Sequence, residues 1–155
     1  MNTAVLTETE KLTREEMVDL LNEDLAREYQ AIIAYTVYSQ VLKGAAYMDI
    51  AAELEQHATE ELGHAMKLAR QIDYLGGRPV VTPKEVLLSD DARELLRFDL
   101  ENERVTILNS RERIRQADAM GEFALGEVLR GIIVQEQEHL IDLADALGIQ
   151  APEVD

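Results

Sequence analysis

Glycine and proline, the residues that most often interrupt helices, are rare in this chain and leave four long uninterrupted segments. The 155 residues include three prolines and eight glycines. Within each segment apolar residues recur at the 3.6-residue spacing of a helix with one buried face, and the alternation typical of strands does not persist. In the fourth segment these residues are Leu125, Leu129, Ile132, Leu143 and Leu147. Four helices of about 28 residues predict an all-α fold, a four-helix bundle.

Local signals predict where the helices begin and end. Thr13 and Glu16 have the spacing of a capping box, so we expect the first helix to begin there and to run to about residue 42. The second helix is predicted over about residues 47–75. Ser89 is the expected N-cap of a third helix that ends near residue 119, and the fourth runs from Gly121 to Gly148.

The lengths of the connections predict the topology. The first and third connections are a few residues long, so the helices that they join must be antiparallel neighbours. The middle connection, residues 76–89, has 14 residues and includes Pro79 and Pro83. A helix of this length spans about 42 Å, and 14 extended residues reach about 46–50 Å. We therefore expect two antiparallel hairpins joined by a long crossover, with a bundle at 13–148 between tails at 1–12 and 149–155.

The charge balance restricts the classes of partner. The chain has 31 acidic and 15 basic side chains, a formal net charge of −16. This charge argues against nucleic acid and anionic membranes and favours attraction of cations. No apolar run approaches the ~18 residues of a membrane span, and the first residues lack the features of a signal peptide, so a cytoplasmic location is expected. The absence of cysteine excludes disulfides, iron–sulfur clusters and thiol nucleophiles.

Each predicted helix has a glutamate in its apolar stripe near its midpoint. These residues are Glu28, Glu61, Glu103 and Glu136, and a histidine follows the second and the fourth by three residues, at His64 and His139. Glu28 and Glu61 are 33 residues apart, as are Glu103 and Glu136, so the chain is an approximate twofold repeat. Midpoints lie at the same height whichever way the helices run. We therefore expect the six side chains to converge in the core.

Four buried carboxylates need compensating positive charge, because burying an unpaired ion costs several kcal/mol. The sequence shows no lysine or arginine in these stripes to supply it, whereas two divalent cations would. A glutamate and a histidine three residues apart face the same side of a helix, so one helix can offer an oxygen and a nitrogen to one metal. Mixed oxygen and nitrogen ligands favour iron or manganese over calcium or structural zinc.

Residues near these positions allow more than one interpretation. Asp24 and Asp99 each precede a central glutamate by four residues, and they are either residues at the edge of the stripe or hydrogen-bond acceptors for the histidine rings. Tyr35 is either part of the apolar core or a phenol near the metals. His57 is expected to be partly exposed, and we leave it out of the ligand set.

At these residues the sequence resembles the ferritin-like superfamily, and the bacterioferritins most closely, over residues 13–148. The matching motifs are Glu28 with Tyr35 seven residues later, Glu61-Leu-Gly-His64, Glu103 within Asp-Leu-Glu-Asn-Glu, and Glu136-Gln-Glu-His139. The resemblance implies that Glu28 and Glu103 are terminal ligands of a di-iron centre. It also implies that Glu61 and Glu136 are bridging ligands, that His64 and His139 supply one nitrogen to each iron, and that Tyr35 lies beside the metals.

The activity implied by the resemblance is that of a ferroxidase. Two Fe(II) ions per chain would be oxidised by O₂ or peroxide, and ferric mineral would be stored inside a homo-oligomer, at least a dimer and by expectation a cage of 12 or 24 subunits. Leu62 stands where bacterioferritins have a haem-ligating methionine, so haem is not expected. Only seven residues follow Gly148, so we expect no fifth helix of the kind found in 24-subunit cages.

Other functions remain open at this point. One is a rubrerythrin-like di-iron peroxidase or oxidase that stores no mineral, although no cysteine module accompanies the bundle. Another is a metal-binding bundle without catalysis. The mini-ferritins of 12-subunit cages usually place their iron site between subunits, unlike the set within one chain that is predicted here.

Overall fold

The computed structural model describes residues 11–155, and its principal elements are four long α-helices. They are α1 (Arg14–Val41), α2 (Met48–Tyr74), α3 (Ala92–Ala119) and α4 (Phe123–Leu147), with one 3₁₀ turn at Ala45–Tyr47. No strand is found within 11–155. The predicted all-α bundle is confirmed. Most of the predicted N-terminal tail lies outside the described residues.

Two of the predicted helix ends are confirmed and one is wrong. The Thr13 Oγ1 atom accepts a hydrogen bond from the Glu16 amide (3.1 Å), and the Glu16 carboxylate accepts one from the Thr13 amide (2.8 Å), which completes the capping box. Gly148 ends α4 with φ of 70°, a conformation that is easily adopted only by glycine. The N-cap of α3 is Asp91 rather than Ser89. Ser89 instead accepts a hydrogen bond from the Asp91 amide and forms a turn before the helix.

The crossover runs along α1 from one end of the bundle to the other. It begins where Asn22 bonds to the Arg78 carbonyl and the Val80 amide. It ends where the Tyr38 hydroxyl donates to the Leu87 carbonyl. These contacts satisfy backbone groups that no helix or strand pairs. The helices α1 and α2 form one hairpin and α3 and α4 the other, as predicted, and α1 packs on α3 and α2 on α4.

Apolar side chains fill the bundle in two separate clusters. The first lies at the end where α1 begins and includes Met17, Leu21, Leu68, Ile72 and Leu125. The second lies at the opposite end and includes Tyr38, Leu54, Leu96, Leu143 and Leu147. Between them is a layer of buried charged side chains. The two clusters therefore isolate that layer from solvent at both ends.

Two further observations concern the helices and the C-terminal segment. In the part of the chain that the structure describes, no helix is both long enough and apolar enough to cross a membrane. Residues 150–155 are not helical, and the Val154 carbonyl accepts a hydrogen bond from Arg111 of α3.

Candidate metal centre

The structure brings together the six side chains that the sequence predicts to converge. Each of the four helices contributes its central glutamate, and α2 and α4 each add a histidine one turn later. All six are buried, with 1–3% of their surface exposed; they are Glu28, Glu61, His64, Glu103, Glu136 and His139. They form two overlapping groups, and within each group the candidate ligand atoms lie within 4.8 Å of one another.

The first group surrounds the Nδ1 atom of His64. This nitrogen lies 3.0 Å from Glu136 Oε1, 3.2 Å from Glu61 Oε2 and 3.6 Å from Glu28 Oε2. Two atoms that are each about 2.1 Å from one metal are separated by about 3.0 Å at a right angle and about 3.4 Å at a tetrahedral angle. The observed spacings match neighbouring ligands of one ion.

The second group surrounds the Nδ1 atom of His139 in the same way. This nitrogen lies 2.9 Å from Glu61 Oε1 and 3.5 Å from both Glu103 Oε1 and Glu136 Oε2. Glu61 and Glu136 therefore each offer one oxygen to either histidine. Among the observed ion pairs, Glu28 reaches only His64 and Glu103 reaches only His139.

The outer nitrogen of each histidine is held by the opposite helix hairpin. His139 Nε2 lies 2.6 Å from the Glu60 carboxylate of α2, and His64 Nε2 lies 2.5 Å from the Gln135 side-chain oxygen of α4. Both partners are acceptors, so each ring carries its proton on Nε2 when neutral and presents the Nδ1 lone pair to the carboxylates. Sequence reasoning missed both partners. The available signal was that Glu60 and Gln135 each stand one residue before a Glu-x-x-His motif.

Asp24 and Asp99 are not the acceptors for the histidine rings. The Asp24 carboxylate binds the Arg113 guanidinium through two bonds, of 2.7 and 3.2 Å. Arg113 is itself buried, so the expectation that the buried faces carry no arginine was wrong for α3. Asp99 is also buried, and its Oδ2 atom has no hydrogen-bond partner. Burial and the nearby Glu103 raise the pKa of Asp99 well above its usual value.

Tyr35 belongs to the site as well as to the core. Its ring packs within the second apolar cluster, and its hydroxyl donates a hydrogen bond to Glu103 Oε1. Burial, followed by the charge of Glu103, raises the pKa of Tyr35 well above its usual value, so the phenol stays protonated and acts as a donor. This bond orients the Glu103 carboxylate.

His57 is buried, contrary to the expectation from the sequence. Only 2% of its surface is exposed, and its ring stacks on that of His139 at a centroid distance of 4.0 Å. Its Nε2 atom lies 3.0 Å from Asp142 Oδ2 of α4. The sequence shows that His57 stands one turn before Glu61 on the same helix, but it could not show that α4 covers the ring.

The surroundings raise the pKa of five of the six residues and so favour their protonated forms. The exception is Glu136: burial would raise its pKa, but hydrogen bonds from Glu103, His139 and His64 outweigh burial and lower it. Burial raises the pKa of Glu28 well above its usual value, and burial together with the Glu136 charge raises that of Glu103 to about 8. Burial alone would lower the pKa of His64 and His139, but hydrogen bonds to the surrounding carboxylates outweigh it and raise both. Without a metal, protons therefore serve as the counter-charge of the cluster.

The donor set fits a pair of divalent cations. Three carboxylate oxygens of the cluster are buried without any hydrogen-bond partner, at Oε2 of Glu28, Glu103 and Glu136. Buried acceptors are almost always paired in native proteins, so three orphans in one cluster indicate positions for a ligand. Four carboxylates and two neutral imidazoles carry a charge of −4, which two divalent ions would neutralise.

The fold is a four-helix bundle with a buried cluster of glutamate and histidine side chains at its centre, and comparison with known proteins identifies the family. The model of the ferritin-like domain matches residues 18–150, so this chain belongs to the ferritin-like family. Among curated proteins it is similar to the bacterioferritin of Rhodobacter capsulatus, with 27% identity over 86% of this chain and 88% of the relative. It is also similar to the bacterial ferritin of Pseudomonas aeruginosa, with 26% identity over 88% and 89% of the two chains.

Solved structures place the chain among related bundles. A ferritin-like di-iron-carboxylate protein of Bacillus anthracis superposes with a TM-score of 0.83 and 34% identity, over 86% of this chain and 96% of that one. A bacterioferritin-related protein of Bacteroides fragilis, a dodecameric thioferritin, superposes with a TM-score of 0.82 and 30% identity, over 91% and 89%. The chain is thus a ferritin-like protein close to the bacterioferritins.

Proposed function

We propose that this chain is the ferroxidase subunit of an iron-storage and iron-detoxification protein. It takes two Fe(II) ions as substrate, oxidises them with O₂ or peroxide, and retains the ferric product inside a homo-oligomeric cage in the cytoplasm. The observation that carries the proposal is the pair of buried groups centred on His64 Nδ1 and His139 Nδ1, which share two glutamates.

The contacts suggest a role for each ligand. Glu61 and Glu136 each reach both histidines, so we assign them as bridging ligands. Glu28 reaches only His64, so we assign it as the terminal ligand of that ion. Glu103 reaches only His139 and is the terminal ligand of the other. Each ion would therefore receive one imidazole nitrogen, one terminal carboxylate and two shared carboxylates.

The chain would exchange protons for metal ions when iron binds, and the bound iron would then pass its electrons to the oxidant. The protons that the cluster holds without metal leave as ferrous ions bind, so affinity should increase with pH. When peroxide is the oxidant, two Fe(II) ions give up one electron each and the peroxide O–O bond is cleaved to two hydroxide ions. Glu60 and Gln135 hold the imidazole rings in place, and Tyr35 holds Glu103.

Storage requires a closed assembly, and several observations are compatible with one. The Bacteroides fragilis relative is a dodecamer. Exposed apolar side chains, among them Leu62 and Met66 one turn apart on α2, offer a surface for a second subunit. We propose a homo-oligomer of 12 or 24 subunits. The aliphatic Leu62 side chain has no donor atom, and Met66 lies more than a full helical turn from the position at which bacterioferritins carry the haem-ligating methionine, so we propose that the chain binds no haem.

Iron retention separates the proposed function from its alternatives. Metal-free protein is given an excess of Fe(II), and then either O₂ or peroxide, and is freed of unbound iron by gel filtration before its iron content is measured. We expect soluble ferric iron far above two ions per chain. Fast oxidation without accumulation would indicate a di-iron oxidase or peroxidase and would contradict storage.

Two variants relate the oxidation to the cluster. In Glu61→Gln/Glu136→Gln, which removes both proposed bridges and keeps their shape, oxidation should fall to the rate in buffer. The control is Glu55→Gln/Glu127→Gln, which removes the same charge from exposed positions of the same two helices and should oxidise iron at the wild-type rate. Equal rates in all three proteins would contradict ferroxidase activity at this site.

A further inference from the structure

A third group of potential metal ligands lies beside the proposed dinuclear site and shares no residue with it. Glu53 and His57 are one turn apart on α2, and Asp142 lies on α4, three residues after His139. Each offers one ligand atom, and the three atoms lie within 4.8 Å of one another. The group thus combines an imidazole and two carboxylates from two helices, a donor set that suits divalent transition metals.

The distance between the ligand atoms of His57 and Asp142 allows both to coordinate one metal ion without movement of the backbone. His57 Nε2 lies 3.0 Å from Asp142 Oδ2. Two ligands at about 2.1 Å from one ion are about 3.0 Å apart when they subtend a right angle. Glu53 stands on the solvent side of the group with an exposed side chain that can move toward an ion. The three residues could therefore occupy one side of a coordination sphere and leave the other side to water.

The burial of His57 prepares its Nε2 atom to act as a ligand. The ring is 2% exposed, and in the described structure its one hydrogen bond joins Nε2 to Asp142, a carboxylate of the same group. Stacking on the His139 ring fixes its plane, so the Nε2 atom is oriented in advance.

The charge around the group also favours a cation. The group opens onto a surface depression of about 250 Å³ whose charged lining consists of Asp49, Glu53, Asp142 and Asp145. No basic side chain among the described residues lines this depression. Within residues 11–155, no lysine or arginine forms an ion pair with Glu53 or Asp142. An acidic, solvent-open depression attracts cations from solution toward the Glu53 and Asp142 carboxylates that line it.

We propose that Glu53, His57 and Asp142 bind a third divalent transition-metal ion. Its ligand His57 stacks on His139 of the dinuclear site. His57 Nε2 and one oxygen of Asp142 are its fixed ligands, and Glu53 is the ligand that closes on the ion from the solvent side. The site exchanges its ion directly with the solution, unlike the buried pair.

Counting bound metal tests the site without reference to iron oxidation. Metal-free protein is titrated with Co(II) in the absence of oxygen, and bound ions per chain are counted by equilibrium dialysis with elemental analysis. The test variant is Glu53→Gln/Asp142→Asn, at positions that are exposed or half-buried. The amide oxygen of the introduced asparagine can still accept the His57 hydrogen bond, so we expect the fold to be retained.

The expected result is a loss of one ion per chain. The wild type should bind one Co(II) more than the Glu53→Gln/Asp142→Asn variant, and the variant should keep the ions of the dinuclear site. The Glu55→Gln/Glu127→Gln control should bind as many ions as the wild type. The proposal is overturned if the test variant loses no ion, or if the control loses one too, which would indicate unspecific binding to an acidic surface. The test compares the number of Co(II) ions bound by the wild type and by the variant. It can therefore support the third site even if the dinuclear site binds no metal.

Discussion

Replacing Glu103 by glutamine should stabilise the metal-free protein and do so most at high pH. Glu103 is buried beside Glu136, and its pKa rises from an ordinary value of 4.5 to about 8. A raised pKa means that the folded chain holds a proton that the unfolded chain releases. Its contribution to stability is therefore complete below pH 4.5 and is lost as the pH rises to about 8.

The shift gives the size of the effect. Each pKa unit corresponds to about 1.4 kcal/mol, so the ionisation of Glu103 should cost the wild type about 4 kcal/mol at pH 8 and about 1 kcal/mol at pH 5. Glutamine carries no charge at either pH. Its oxygen can still accept the Tyr35 hydrogen bond, and its amide can donate to Glu136 as the protonated Glu103 would. In a protein of this size the gain at pH 8 corresponds to about 10 °C in melting temperature.

Thermal unfolding of chelator-treated protein at pH 5 and pH 8, with the subunit concentration held constant, measures the effect. The matched control is Glu101→Gln, which removes one exposed charge from the same helix and should change stability by less than about 1 kcal/mol. A Glu103→Gln protein less stable than the wild type at pH 8 would refute the reasoning. So would a gain of equal size at both pH values.

Three further substitutions test other parts of the structure. Tyr35→Phe leaves Glu103 without its donor and should lower the free energy of unfolding by about 1–2 kcal/mol in denaturant titrations. Arg113→Ala leaves the half-buried Asp24 carboxylate unpaired and should cost up to about 3 kcal/mol, measured in the same way, and adding Asp24→Ala should recover part of the loss. Gly148→Ala forces a left-handed backbone on alanine and should cost about 1 kcal/mol; no loss would contradict the φ of 70°.

Much of the fold follows from the sequence because the residues that begin and end each helix act through contacts with their near neighbours in the chain. The capping box at Thr13 and the glycine at position 148 determine helix ends through contacts within a few residues, and both predictions were confirmed. The N-cap of α3 was predicted wrongly because Ser89 and Asp91 are both good capping residues. The choice between them depends on where the crossover ends, which is set by distant contacts such as that of Tyr38 with Leu87.

The convergence of the central glutamates could be predicted because it depends only on periodicity and height along the helices. The partners of the histidine rings could not, since they depend on how α2 and α4 are rotated against each other. That rotation places Glu60 beside His139 and Gln135 beside His64. The same packing buries His57, whose environment is made by α4 rather than by its own helix.

The pair of Asp24 and Arg113 shows a different limit of sequence reasoning. Arg113 lies on the buried side of α3, where an arginine is unexpected, and it is tolerated because Asp24 of α1 accepts two hydrogen bonds from it. The two residues are 89 positions apart. A pattern search along one helix at a time cannot find such a pair.

Anomalous diffraction at the iron edge, from crystals loaded with Fe(II) under anaerobic conditions, tests the central claim most directly. The account predicts two peaks within the bundle, one near His64 Nδ1 and the other near His139 Nδ1, with Glu61 and Glu136 between them. No peak at this level, or a single peak bound to only one histidine, would contradict a dinuclear centre in this chain.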